Sequence, residues 1–267
     1  MASRKEQKDA ARQARLAQER ARTESKRRER RLRMLGGVVI GAVAVVVVAI
    51  AVSSGGGGGG AVVKPDSPAA KQAVATVQTL LTGIPQDGNR LGSPAAKVTV
   101  TEFGDLECPI CKDFALGAEN QLISNDVRSG KVQLIYRSLP TATANGPDPS
   151  VFPTQQAAAL AAGEQQRGWN YIELFYHEQG SEDTSYVTTD YLGGLAKQVP
   201  GLNYSKWSSD RTSSTLTGQV TTDEQAATAA GYDSTPTLVV KGPKSQAQPI
   251  VGDTTYGALQ SAIKSVS

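Results

Sequence analysis

Two cysteines and one histidine are the chain's whole supply of thiol and imidazole across 267 residues. That scarcity excludes the common four-ligand zinc sites and any four-cysteine iron–sulfur cluster within one chain. A small disulfide-stapled scaffold is excluded as well, because one bridge at most serves the whole length. No nucleotide-binding glycine motif is present. The glycine run Gly55–Gly60 has no strand before it and no Lys-Ser/Thr after it. Internal repeats are also lacking. Aromatic residues are 5% of the chain, and none interrupts the basic N-terminal tail. A nucleic-acid-binding reading of that tail therefore has no support beyond its charge.

The charge is unevenly placed. Residues 1–33 carry 13 Lys+Arg against 5 Asp+Glu, whereas the remainder holds 15 basic and 20 acidic residues. The overall pI near 8.8 thus belongs to the tail and not to the body. Residues 34–52 then form 19 uncharged positions rich in Val, Ala and Gly. As a helix they would extend roughly 28 Å, close to the roughly 30 Å hydrocarbon core of a bilayer. The expectation is an uncleaved single-pass anchor. The alternative is a cleaved secretory signal ending near Ala51-Val52-Ser53, against which stands the long charged segment before the apolar run. Arg27, Arg28, Arg30, Arg31 and Arg33 directly precede the span, so the N-terminus is expected in the cytoplasm and the body outside it. Residues 53–65 read as a glycine-rich flexible linker with a typical span of about 20 Å. The folded body is expected over residues 66–267. Both cysteines then lie where disulfides persist.

Within the body, the apolar spacing of Ala73, Val74, Val77, Leu80 and Leu81 predicts a helix over residues 69–82, ended by Gly83. One short strand is expected around Ile84. The alternating, β-branched run Val98–Phe103 predicts a strand that leads into Cys108-Pro109-Ile110-Cys111, followed by a helix to about Ile123. Residues 132–137 predict a second strand, completing βαβ. Helices follow over 155–166, 169–177, 190–198 and 223–230, within a helical block of about residues 150–230. Strands at 237–240 and around 249–251, and a helix over about 256–266, close the chain. The fold class is α/β.

A Cys-x-x-Cys pair at a strand-to-helix junction has a physical advantage. Cys108 at the helix N-terminus faces unpaired N–H groups and the positive end of the dipole, which favour a thiolate. Pro109 suits the first helical position, where its missing N–H costs nothing. Cys111, one turn further in, is expected to be the more buried. Cys108 would attack, and Cys111 would resolve the mixed disulfide. A structural metal site lacks ligands, and a structural disulfide closing so short a ring would restrict the unfolded chain little. His177 reads as a surface or packing residue, remote in the helical block. Asp105, Glu107 and Asp113 read as solvated surface, though their charge would disfavour a thiolate if they approached it.

These residues carry a family resemblance. Leu91-Gly92-Ser93-Pro94 before a strand, then Glu102-Phe103-Gly104-Asp105-Leu106-Glu107 and the Cys-Pro-Ile-Cys-Lys-Asp-Phe run through Phe114, resemble the DsbA-type thioredoxin-fold oxidoreductases. Tyr136-Arg137-Ser138-Leu139-Pro140 resembles the family's next strand and proline, and Gly231 through Val240 resembles its cis-proline loop. The resemblance spans about residues 84–267 and implies a thioredoxin fold with a helical insertion. It further implies a cis Pro236 packed against the cysteines, and Thr235 presenting its backbone to a bound peptide beside Pro109 and Ile110. Without the resemblance, the alternative for Pro236 is an ordinary trans proline opening a strand. Glu102 falls where relatives place a buried acid, a candidate for relaying the Cys111 proton; the alternative is a solvated strand residue. The resemblance implies no cofactor beyond the redox-active Cys108–Cys111 pair. The partners it implies are secreted or envelope protein thiols and disulfides, and a quinone-linked membrane protein for recycling. A monomer is expected, with no nucleic-acid partner. Ile110 departs from the strongly oxidising members, which carry His there, so a less extreme redox poise is expected. Oxidation of substrates is the leading direction; reduction or isomerisation, or a non-catalytic thioredoxin-fold binding module, are the alternatives.

Overall fold

A computed structural model describes residues 67–267, so the basic tail, the apolar run 34–52 and the glycine linker lie outside the described residues. Among the described residues no helix is long and apolar enough to cross a membrane. The chain enters through α1 (Pro68–Leu81), whose N-cap Ser67 accepts from Ala70 N at 3.1 Å while Pro68 occupies the first turn. Its buried stripe of Ala70, Ala73, Val77 and Leu81 packs mainly on a later helix, α5 (Gly168–Glu178).

A six-stranded sheet carries the rest, in the order β1-β2-β4-β3-β5-β6. Where one strand was expected around Ile84, a tight hairpin forms instead, β1 (Gln86–Asp87) and β2 (Arg90–Leu91). Gly88 supplies the positive φ of +57° that its turn requires. The central strand β3 (Val98–Gly104) is parallel to β4 (Val132–Ser138) and antiparallel to β5 (Thr237–Lys241). The edge strand β6 (Ile250–Val251) pairs with β5. Between β3 and β4 runs α2, which starts as Pro109–Phe114. It continues through a π-helical stretch Ala115–Glu119, an α turn Asn120–Leu122 and a second π stretch Ile123–Val127.

The insertion between β4 and β5 comprises α3 (Ala142–Asn145), α4 (Phe152–Gly163), α5, α6 (Thr189–Gln198), α7 (Tyr204–Asp210) and α8 (Ser214–Ala229). It begins earlier than the expected residue 150. Both α3 and α7 are too short to show a clear period in sequence. The first half of α8 is rich in Thr and contains Gly218, both weak helix formers. Burial of Leu216, Val220, Asp223 and Ala227 along one face decides it as helix. α9 (Tyr256–Val266) packs on the sheet through Leu259, Ile263 and Val266. The fold is thioredoxin-like α/β with the cysteine pair at the exit of its central strand.

Candidate active site

Cys108 is the N-cap of α2, extended at φ −72°, with Pro109 opening the helix behind it. Its N–H donates to Asp105 O at 3.0 Å, which closes the turn leaving β3. Both cysteines are free thiols here, and both are more buried than the sequence suggests: Cys108 is 6% exposed and Cys111 is sealed. The order is as expected, since only Cys108 meets solvent. Ile110, by contrast, is 40% exposed on the rim.

The two thiols differ sharply in acidity. A hydrogen bond from the Cys111 thiol, joined by the Thr235 side chain and the backbone N–H groups of Cys111 and Ile110, overcomes partial burial and brings Cys108 down to about 6. Burial drives Cys111 well above the ordinary thiol range, and the Cys108 hydrogen bond and the Glu102 charge push the same way. The proton shared by the pair therefore resides on Cys111 and the negative charge on Cys108.

Opposite the pair, the Thr235–Pro236 peptide bond is cis. It places the Thr235 carbonyl where it accepts from Cys108 Sγ at 3.6 Å, while Pro236 O accepts from Gly252 N at 2.8 Å. Cys108, Thr235 and Pro236 are thus brought together across 127 residues of chain.

Asp105 and Glu107 are not solvated. Asp105 is fully buried and accepts from the N–H groups of Glu107 (3.0 Å), Thr141 (2.9 Å) and Thr143 (2.9 Å), and from the Thr143 hydroxyl (2.6 Å). Glu107 is buried beside Gln155, whose amide donates to its Oε2 at 3.2 Å. Burial raises Glu107 to about 7 against the opposing hydrogen bonds from Thr143 and Gln155. Asp113 alone of the three is on the surface, as expected. His177 is partly buried near Lys112, at the end of α5, which docks on the cysteine turn. Gln179 Nε2 donates to Leu106 O (2.7 Å) and Cys108 O (3.1 Å), and Lys112 donates to Gln179 O (3.4 Å). Partial burial, with the Lys112 charge, lowers the His177 pKa.

Glu102 lies beneath the pair. It follows Val98 and Val100 at the two-residue period that points one face of β3 into the core. It is fully buried, and its carboxyl finds no partner beyond the Glu119 carboxyl beside it. Glu119 from α2 and Glu173 from α5 are buried with it, and the hydroxyls of Tyr136 and Tyr176 are buried against each other in the same region. Burial, then the charges of Glu119 and Glu173, hold Glu102 well above the carboxylate range, and burial does the same for its two neighbours. The backbone of Gly104 makes this packing possible, since a Cβ there would come within 2.7 Å of the Tyr136 ring and 3.0 Å of Glu102 Oε1. Sequence reasoning found Glu102 and missed the other two. A signal existed: Glu119 falls on the face shared by Ala115, Ala118 and Leu122, and Glu173 sits inside the wholly buried run Tyr171–Tyr176. Among the described residues, no grouping of three or more His, Cys, Asp or Glu side chains has metal-holding geometry.

Comparison with known proteins agrees with this arrangement. A sequence model described as thioredoxin matches residues 86–265. The chain is 26% identical over 153 residues to the probable disulfide bond formation protein D of Bacillus cereus, a match covering 57% of this chain and 69% of that protein. It is 27% identical over 157 residues to disulfide bond formation protein D of Bacillus subtilis, covering 56% and 66% respectively. The crystal structure of oxidised BdbD from Bacillus subtilis shares the fold with a TM-score of 0.58 at 22% identity, over 69% of this chain and 96% of that one. A variant of alpha-DsbA1 from Wolbachia pipientis does so with a TM-score of 0.55 at 18% identity, over 71% and 94%. With the cysteine pair facing a cis-proline loop across this sheet, the chain belongs to the thioredoxin family, as a DsbA-type thiol–disulfide oxidoreductase.

Proposed function

We propose that the enzyme oxidises thiols of secreted or envelope proteins outside the cytoplasm, tethered to the plasma membrane by residues 34–52 with residues 1–33 inside. The observation that carries this reading is the asymmetry of the pair: Cys108 is held near 6 at the helix start, and Cys111 is sealed and far more basic. A dithiol stabilised as its thiolate resists reoxidation, so its disulfide is the better oxidant.

In the proposed sequence, a substrate thiolate attacks Cys108 Sγ of the oxidised pair. The Cys108–Cys111 bond breaks, and Cys111 leaves with the bonding electrons and takes a proton from Glu102. Burial and the neighbouring Glu119 and Glu173 favour the protonated form of that acid, which fits it to donate. A second substrate thiolate then attacks the substrate sulfur of the mixed disulfide, and Cys108 leaves as its stabilised thiolate. Two electrons pass to the enzyme and a disulfide forms in the substrate. A membrane redox partner with a disulfide of its own takes the electrons back. Pro109, Ile110, Thr235 and Pro236 border the sulfur that is attacked and would contact the bound chain.

The test uses the full-length protein. Oxidised enzyme in detergent should pass its disulfide to a reduced, unfolded protein, and Cys111→Ala in cells should accumulate mixed disulfides through Cys108. No covalent complex would reduce the domain to a binding module. A potential below that of thioredoxin, about −270 mV, would reverse the direction to reduction.

A further inference from the structure

Thr141 has no part in the chemistry described so far. It occupies the N-cap position of α3, yet its side chain makes no capping bond to that helix. Its backbone is tied down instead: Thr141 N–H donates to Asp105 Oδ2 at 2.9 Å, and Asn145 Nδ2 donates to Thr141 O at 2.7 Å. Asp105 also holds the N–H of Glu107, next to Cys108, so one buried carboxylate joins the Thr141 loop to the cysteine turn. The freed Thr141 hydroxyl is hydrogen-bonded to the hydroxyl of Thr235, 94 residues away.

Thr235 meets Cys108 in two ways, and protonation decides between them. In the thiol state Cys108 Sγ–H donates to the Thr235 carbonyl at 3.6 Å. Once the thiol loses its proton, sulfur and carbonyl are both acceptors and that bond is lost. The carbonyl contact sets Thr235 directly beside the sulfur, and its side chain is among the groups that lower the Cys108 pKa. A threonine hydroxyl has one proton. When Thr235 gives that proton to sulfur, its oxygen can only accept from Thr141.

From this geometry we infer that Thr141 is a positioning residue: its hydroxyl donates to Thr235 Oγ1 and so turns the Thr235 proton toward the Cys108 thiolate. The inference rests on Cys108 being the reactive thiolate. Hydrogen bonds in series polarise one another, so the relay gives Cys108 a stronger donor than Thr235 alone. The titratable groups around the sulfur, Cys111 on α2 and Glu102 on β3, keep their places when only the Thr141 hydroxyl is removed.

The experiment measures the Cys108 pKa from the pH dependence of iodoacetamide alkylation of the reduced full-length protein, together with its redox equilibrium against glutathione. Thr141→Val should raise the pKa by about half to one unit, a roughly three- to tenfold fall in the thiolate-to-thiol ratio, and make the disulfide less oxidising. Thr141→Ser should restore both values. Thr141→Ala, which only deletes atoms and leaves the Asp105 bond intact, should match Val and covers the case where Val does not fold. In a Thr235→Val background, Thr141→Val should shift nothing further. An unchanged pKa in the Val and Ala variants would overturn the relay, and so would an equal shift in the Thr235→Val background. Alkylation of Cys111 before Cys108 in the unmodified protein would instead overturn the assignment of the reactive thiol.

Discussion

Cys108 and Cys111 are identical in chemistry and one helical turn apart, and their surroundings push them in opposite directions. Cys108 collects donors: the Cys111 thiol, the Thr235 side chain and the N–H groups of Cys111 and Ile110. Cys111 bears the cost of burial, the hydrogen bond it gives Cys108 and nearby negative charge, opposed by one backbone hydrogen bond at Asp105. Ile110 adds a backbone N–H but a side chain without charge or polarity, exposed beside the sulfur. Ile110→His should therefore lower the Cys108 pKa below its present value of about 6 and raise the reduction potential together. One pKa unit is about 1.4 kcal/mol, which for a two-electron couple is about 30 mV. Alkylation against pH and glutathione equilibration measure the two shifts. If neither moves, the residue between the cysteines does not control poise, and Thr235 becomes the better suspect.

Three separate elements each deliver one carboxyl to the region under the cysteines: β3 brings Glu102, α2 brings Glu119 and α5 brings Glu173. With burial raising all three, the folded protein keeps protons that the unfolded chain releases above about pH 4.5. Stability from these groups is thus fully present below that pH and is lost as pH rises toward the folded pKa values. Each such group costs up to about 1.4 kcal/mol per pH unit in that window. Glu119→Gln keeps the shape and removes the titration. It should change little at pH 4 and stabilise by about 1 kcal/mol or more at pH 8. Denaturant unfolding at the two pH values checks this. A variant destabilised at pH 8 would mean that the ionised carboxylate is held by partners stronger than burial suggests.

At the scale of the whole molecule, residues 86–265 match one family and contain both cysteines, the cis proline and the Glu102, Glu119 and Glu173 cluster. Nothing before Ser67 is needed to cap α1, since Ser67 itself supplies the capping oxygen. Removing residues 1–60 should therefore yield a soluble, folded protein with the thiol acidity and redox potential of the full chain. Far-ultraviolet circular dichroism, alkylation kinetics and glutathione equilibrium would be compared between the two. An aggregated or inactive fragment, beside full-length protein active in detergent, would move the boundary toward the N-terminus.

What the amino-acid sequence determined by itself is local. The alternation of Val98 through Phe103, the proline behind Cys108 and the β-branched run of β5 each specify structure within a few residues, so βαβ and the position of the pair were legible. The face of Glu102 was legible as well, by its parity with Val98 and Val100. Partners distant in sequence were not. No local pattern tells that Asp105 and Glu107 lie under the Thr141–Thr143 loop, that α5 brings Gln179 onto the cysteine turn, or that Glu119 and Glu173 gather around Glu102. Apart from Glu119, which α2 carries, those contacts span from 36 to 73 residues of chain and arise only when the helical insertion closes over the sheet. Acidity depends on dielectric and on donors at a few ångströms. The chain alone therefore placed both sulfurs at the start of α2, and the tertiary structure decided how acidic each one is.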